Sequence, residues 1–227
     1  MTMKVTRTSP VHDLIAALNP QQWDVVRGMS MASRLAGHET AARESIAIAD
    51  LSCLDKAGVK GPEAARWLES QGIAVPAQAN AWTGLAGGGV IARLGRSEFF
   101  LEDGAIGDTT SRVRDALGTG IAEAYPVIRQ DAGIALVGKR VNELLVQTCN
   151  VNFQELDSAS RTVVMTMMVG VAVLVIRQDQ QNLPGFRIWC DPTYAPYLWE
   201  TLTGIARELG GGPIGTVGLQ SQAGKLE

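Results

Sequence analysis

The chain has 227 residues, with 20 Lys and Arg against 23 Asp and Glu, a formal net charge of −3, and 46% hydrophobic residues. Such a composition can bury a full core without staples. No run of Lys or Arg accumulates, so nothing electrostatic favours nucleic acid or a membrane surface as partner.

Cys53, Cys149 and Cys190 are odd in number and widely spaced. That fits neither a disulfide framework nor a CxxC metal or redox pair, and it predicts reduced, buried thiols. The opening "MTMKVTRTSPVHDLIAALNP" has basic residues without an apolar segment behind them, a poor signal peptide, so the expected location is the cytoplasm. Residues 1–21 read as an N-terminal arm. From Trp23 to Leu35, the residues Trp23, Val26, Met29 or Ser30, and Ser33 fall at loose helical spacing with Met31 off the face. Two readings stay open for residues 20–43: a contact arm that orders against another subunit, or a strand or helix closing the chain's own core.

A strand, "SIAIADLS" (45–52), comes next. In "KGPEAARWLESQGIAVP" (60–76), Pro62 suits a first helical turn and Ala64, Trp67 and Leu68 share one face; "IAVP" then reads as a strand. The glycines of "GLAGGG" (84–89) predict a hairpin loop between strands, with "GGVIARLG" (88–95) and "EFFLE" (98–102) following, then a helix in "TTSRVRDALG" (109–118) with Val113 and Leu117 one turn apart.

The grammar then returns. "DAGIALVG" (131–138) is a strand, and "VGKRVNELLVQTCNVNF" (137–153) is a helix with Val141, Leu144 and Leu145 inward, then a strand in "NVNF". The apolar run Val163 to Ile176 predicts two buried strands meeting near Gly170, and at about 14 residues it is too short to span a bilayer as a helix. Met165, Met167 and Met168 lie within it, expected in the core on one face and against a partner on the other. "FRIWC" (186–190) leads into a helix capped by Asp191, with Pro192 in its first turn, a stripe of Tyr197, Leu198, Leu202, Ile205 and Leu209, and Gly210 as its stop. Residues 210–227 read as a flexible glycine-rich tail.

The offset between the two passages is constant at 77 residues (138 minus 61) across Gly61/Gly138, Ala64/Val141, Trp67/Leu144 and Leu68/Leu145. Each half reads helix, strand, strand, helix, with an extra strand before it. The bland account is a pattern recurring by chance in an α+β chain. Duplication is more economical, because one copy leaves a sheet face bare and two copies about a pseudo-twofold axis bury both. The expectation is therefore an α+β fold of duplicated α/β halves, about 44–125 and 126–209, inside one domain over 22–209.

Chemistry-bearing motifs are sparse. "VGKR" around Lys139 lacks the spacer and second glycine of a P-loop, and "GLAGGG" has no following Lys-Ser/Thr. His12 and His38 belong to no metal arrangement and read as surface or capping residues. No G-x-S-x-G elbow is present, which argues against acyl transfer.

"ADLSCLDKAGVKGPEAARWLESQGIAVP" (49–76) resembles the opening of the folate-binding domain of the glycine-cleavage T-protein (aminomethyltransferase) family. "LGRSEFFLEDG", "IALVGKRVNELLVQTCNVNFQEL", "AVLVIRQ" and "FRIWCDPTYAPYLWETL" narrow the likeness to the gamma subunit of heterotetrameric sarcosine oxidase, over about residues 44–209. The chain departs from that pattern in carrying "VIRQDAG" where a D-x-S segment is usual, Lys139 in place of Pro, and residues 20–43 without counterpart. The resemblance implies a subunit with no catalytic, cofactor-binding or metal residues of its own, packed on the folate domain of a larger alpha subunit. FAD, FMN, NAD and tetrahydrofolate would sit on the alpha and beta subunits of a complex oxidising sarcosine or another N-methyl amine. A working member of the folate family would show an Asn-bearing strand followed by an aspartate. "EFFLEDGAIGDTT" offers Asp103 and Asp108 without the Asn, and turn formation is the role expected of both. The alternative is a stand-alone folate-dependent methyl- or aminomethyl-transferase using the groove between the halves. A third reading, the iron-sulfur-assembly relatives, lacks its K-G-C-x-x-G-Q-E signature here.

Overall fold

The computed structural model describes residues 4–35, 39–118 and 123–220; His38, with its expected surface or capping role, lies outside them. In chain order the first elements are β1 (Arg7–Thr8), α1 (His12–Ala16), β2 (Gln22–Val26), β3 (Met29–Arg34), α2 (Glu39–Glu44) and β4 (Ala47–Asp50). Then come β5 (Lys56–Lys60), α3 (Ala64–Ser70), β6 (Ala81–Gly84), β7 (Val90–Arg93), β8 (Glu98–Glu102), α4 (Thr109–Leu117) and β9 (Tyr125–Val127). The chain continues through β10 (Ala132–Val137), α5 (Val141–Thr148), β11 (Val163–Met168), β12 (Val171–Arg177), β13 (Gly185–Cys190), α6 (Ala195–Glu208), β14 (Gly212–Pro213) and α7 (Thr216–Gln220).

The fold is α+β, and it divides into two compact units. One comprises residues 54–131 and 157–164 and is built on a five-stranded antiparallel sheet, order β6-β7-β8-β5-β9. Its core joins Ala57, Val59, Trp67, Leu68, Ile91, Phe99, Leu101, Val113 and Leu117, so the inward stripes of α3 and α4 meet one sheet face. Each fully buried Val, Leu, Ile or Phe among them contributes about 1.5–3 kcal/mol.

The other unit comprises residues 1–53, 132–156 and 165–227, with a six-stranded sheet in the order β11-β12-β13-β10-β4-β14. Phe153 meets Phe186 edge-on at 5.6 Å, while Ala42, Ile214 and Leu219 pack on Ala47 and Ala49 of β4. A smaller sheet, β1-β3-β2, belongs to the same unit. Residues 22–34 form its β-hairpin rather than a helix. Arg27 and Gly28 have φ of 50° and 76°, the pair of left-handed residues that a two-residue hairpin turn requires. Met29, Met31, Ala32 and Leu35 are buried, so this segment closes the chain's own core, with Trp23 37% exposed.

The duplication appears in topology and in atomic detail. In both sheets a strand leads into a helix, three antiparallel strands follow, and the third pairs back onto the first: β5, α3, β6, β7, β8, α4 in the first repeat; β10, α5, β11, β12, β13, α6 in the second. Gly61 has φ 138° and Gly138 has φ 148°. A Cβ on Gly61 would fall onto the Glu123 carbonyl, and one on Gly138 onto the Ser45 carbonyl. Two residues on, Glu63 N donates to Glu123 O and Arg140 N to Ser45 O, each at 3.1 Å.

Several expectations are corrected. "DAGIALVG" is β10, the counterpart of β5 and not an extra strand. The strands that precede each repeat are β4 and β9, and each pairs in the sheet of the opposite repeat, β4 with β10 and β9 with β5. Neither "IAVP" nor "NVNF" is a strand: residues 73–76 are irregular, with Ile73 dropped into the core, and Asn152 accepts from Gln154 N to start a 3₁₀ turn. On α6 it is Trp199 and Ala206 that are buried beside Leu198 and Leu202, and Tyr197 is 53% exposed. Residues 210–220 are not a bare tail but supply β14, parallel to β4, and α7; the remaining residues of that expectation, 221–227, lie outside those described. The Val163–Ile176 run does turn at Val169 and Gly170 into β11 and β12, yet Met165 and Met167 stand 54% and 55% exposed, and only Met168 of the three is buried.

Candidate functional site

The richest polar cluster lies in the five-stranded unit, where β8 ends. Lys56 and Glu102 face one another across β5 and β8, and Lys56 Nζ stands 3.2 Å from Glu102 Oε2 with both side chains almost wholly buried. The ammonium also donates to Leu54 O at 2.8 Å. An ion pair removed from water persists only when its remaining hydrogen-bonding capacity is met, and here the main chain supplies that partner.

Asp103 follows directly and is 1% exposed. Its Oδ2 accepts from Thr110 Oγ1 at 2.6 Å and its carboxylate from Thr110 N at 3.2 Å. Thr110 is the second residue of α4, whose first N–H groups have no partner within the helix. The carboxylate thus satisfies one of those donors and favours the positive end of the helix. Asp108 stands at the entry to α4 itself, exposed, 3.9 Å from Arg112.

Glycine makes this corner possible. A Cβ on Gly104 would fall onto the Gly87 carbonyl, and one on Gly89 would stand 2.6 Å from Glu102 O. The "GLAGGG" segment is therefore the β6–β7 hairpin loop, packed backbone to backbone on the loop after β8. No cradle opening to a phosphate is formed by it.

A second acidic node lies in the other unit. Asp50 Oδ2 accepts from Ser9 Oγ at 2.5 Å and Oδ1 from Ser52 N at 2.9 Å, while Ser52 Oγ accepts from Gly133 N at 3.2 Å. The D-x-S segment thereby fixes the end of β4 against β10.

The other residues singled out in the sequence are dispersed. The His12 ring lies 4.9 Å from that of Trp23, tilted by 43°. Lys139 pairs with Glu44 on the surface, and the contact holds the Glu44 carboxyl below its usual range. Asp191 does not cap α6 directly. It accepts from Thr193 Oγ1 at 2.6 Å and Thr193 N at 2.8 Å, and these bonds lower its pKa. All three cysteines are buried and none is in a disulfide, as the spacing predicted. Among the described residues no group of three or more His, Cys, Asp or Glu could hold a metal ion, and no helix is long and apolar enough to cross a membrane.

Chemically, the cluster is a set of closed contacts: one buried ion pair and one carboxylate bound to a helix end. The Lys56–Glu102 pair escaped notice in the sequence because the only signal is a charge at the first position of one strand and the last of another.

The GCVT N-terminal domain family matches residues 18–222. Among solved structures, the chain is similar to the glycine cleavage system aminomethyltransferase T from Bartonella henselae, with a TM-score of 0.75 and 17% identity, over 95% of this chain and 61% of that one. The chain thus spans less than two thirds of that protein's length. It is also similar to a chain of the heterotetrameric sarcosine oxidase from Corynebacterium sp. U-96, solved in complex with pyrrole 2-carboxylate, with a TM-score of 0.65 and 17% identity, over 91% of this chain and 97% of that one. At such identity the likeness is one of fold. No curated protein matches the chain.

Proposed function

Because the chain belongs to the GCVT N-terminal domain family, we propose that it is a non-catalytic, gamma-like subunit of a multi-subunit flavoprotein that oxidises sarcosine or a related N-methyl amine. Its role is to hold the folate-binding region of a larger alpha subunit in a cytoplasmic complex. FAD, FMN, NAD and tetrahydrofolate belong to the other subunits in this reading.

The observation that carries it is the closure of the acids at the end of β8. Glu102 and Asp103 are 0% and 1% exposed, one paired with Lys56 and the other bound to Thr110. A carboxylate that is to orient a substrate or move a proton must reach the reacting atoms, and these two face inward. Support of a second kind comes from extent: this chain and the sarcosine oxidase chain cover one another almost end to end.

A stand-alone folate-dependent methyl- or aminomethyl-transferase is the second reading, favoured by the higher TM-score with the aminomethyltransferase. Two experiments separate them. Affinity purification from the native host is expected to bring down larger flavin-bearing chains in fixed stoichiometry. Calorimetric titration of the isolated chain with tetrahydrofolate is expected to give no saturable binding; micromolar binding with turnover of a methyl donor would overturn the subunit role.

A further inference from the structure

We propose that a cavity of about 330 Å³ lined by Leu14, Leu18, Trp199, Glu200, Thr203 and Arg207 binds a linear aminocarboxylate, a molecule with an ammonium and a carboxylate at opposite ends of a short apolar chain. The site is separate from the acidic cluster of the other unit and does not depend on the proposed subunit role.

Its size falls within the range of small-ligand sites, and it is a groove open to solvent on one side, lined by polar and apolar groups alike. Leu14, Leu18 and Trp199 supply the apolar wall. The three remaining residues lie at positions 200, 203 and 207 of α6, and this i, i+3, i+7 spacing puts them on one helical stripe.

Of those three polar residues Thr203 is buried, while Glu200 and Arg207 are exposed to solvent. Thr203 is 4% exposed and its Oγ1 meets no hydrogen-bond partner. A threonine inside a helix commonly returns its hydroxyl to the carbonyl four residues back. Thr201 does so on the same helix, donating to Tyr197 O at 2.8 Å. A buried hydroxyl left unsatisfied is destabilising, and rotation about χ1 exchanges the positions of its hydroxyl and methyl, so a bound acceptor or donor can engage it.

The exposed side chains of Glu200 and Arg207 enter no hydrogen bond or ion pair among the described residues. Several other arginines are employed: Arg93 binds four main-chain carbonyls through Nε, Nη1 and Nη2, Arg140 binds Glu143 and Leu209 O, and Arg177 binds Asp179 and Leu156 O.

Opposite charges flanking an apolar wall complement a ligand that is itself a zwitterion. Seven residues of helix separate the Cα atoms of Glu200 and Arg207 by about 10.5 Å along the axis, and the two side chains do not pair with each other. An α-amino acid, with both charged groups attached to one carbon, engages one of them at a time. A chain of several methylenes spans toward both and lays its apolar body on Trp199, Leu14 and Leu18.

The test is calorimetric titration of the full chain with 6-aminohexanoate, and with hexanoate, hexylamine and glycine in parallel. Saturable binding of 6-aminohexanoate is expected, at least about tenfold tighter than any of the other three. Arg207→Gln should erase the advantage over hexylamine, and Glu200→Gln the advantage over hexanoate. Thr203→Val should raise the Tm of the free protein, since an orphan hydroxyl becomes a methyl, while weakening the ligand. No saturable heat up to about 10 mM overturns the site. Equal binding of hexanoate or hexylamine leaves a merely apolar cavity and overturns the aminocarboxylate assignment, and tighter binding of glycine overturns the spacing argument.

Discussion

The two repeats solve the same packing problem with opposite chemistry. At equivalent positions of the first and last strands, the first repeat sets Lys56 opposite Glu102, and the second sets Gly133 opposite Trp189. The equivalence is anchored next door, where Gly61 N donates to Ser97 O and Gly138 N to Pro184 O. One repeat has an internal ion pair at this register position, the other a buried tryptophan paired with a residue that has no side chain. A duplicated backbone therefore constrains volume and register at this site, not polarity. The ion pair is the costlier solution, since two charges must leave water.

The largest expected effect breaks that difference. Lys56→Met should destabilise by about 3–5 kcal/mol, because the Glu102 carboxylate loses its buried cation, whereas Lys56→Met with Glu102→Leu should recover most of the loss. Urea unfolding of the two variants decides it; a double variant no more stable than the single one would mean that the pair is indispensable to the fold of the first repeat.

The glycines test where the repeats agree. Gly61→Ala and Gly138→Ala should cost alike, about 1–3 kcal/mol each, from strained φ and a Cβ driven onto a carbonyl. Gly72→Ala, at φ 75° with nothing within 4 Å of the added carbon, is the control and should cost about 1 kcal/mol from conformation alone. Unequal thermal shifts for the first two would break the equivalence.

Helix starts sharpen the contrast further. Thr110→Val removes the hydroxyl that binds Asp103 and should cost about 1 kcal/mol. Thr193→Val, in the exposed turn that precedes α6, should cost less, and thermal melts of both variants supply the ordering.

The smallest effect is with acid. Thr193 holds the Asp191 carboxyl below its ordinary value of 3.8, so the unfolded chain binds the proton more readily than the folded one. The stabilisation is present above pH 3.8 and fades as pH falls through the lowered folded value. Tm measured against pH should fall more gently for Asp191→Asn than for the wild type, with the difference confined to that acid window.

Helix faces were legible in the sequence. Ala64, Trp67 and Leu68, and Val141, Leu144 and Leu145, are all buried as their spacing requires, because a period of 3.6 survives in any helix that covers a sheet. The hairpin at residues 22–34 was not, since its apolar residues sit at spacings that a helix also satisfies and the deciding feature is the positive φ of Arg27 and Gly28. Tyr197 misled for a related reason: the stripe of α6 is rotated toward Trp199 and Ala206, a choice made by the sheet beneath. Of the acidic cluster, the sequence offered Asp103 as a turn residue, and its bond to Thr110 explains that position more fully. Lys56 and Glu102 gave no warning, being 46 residues apart (102 minus 56).

By itself the sequence determined the repeat, the inward face of each major helix and the glycines that end the first strand of each copy, because all of these follow from local backbone geometry. Only the tertiary structure decided that β4 and β9 pair in each other's repeats, that Lys56 meets Glu102, and that the orphan hydroxyl of Thr203 lines a groove beside Glu200 and Arg207. Those outcomes depend on which strands become neighbours, and hydrogen bonding between distant strands leaves no period in the chain.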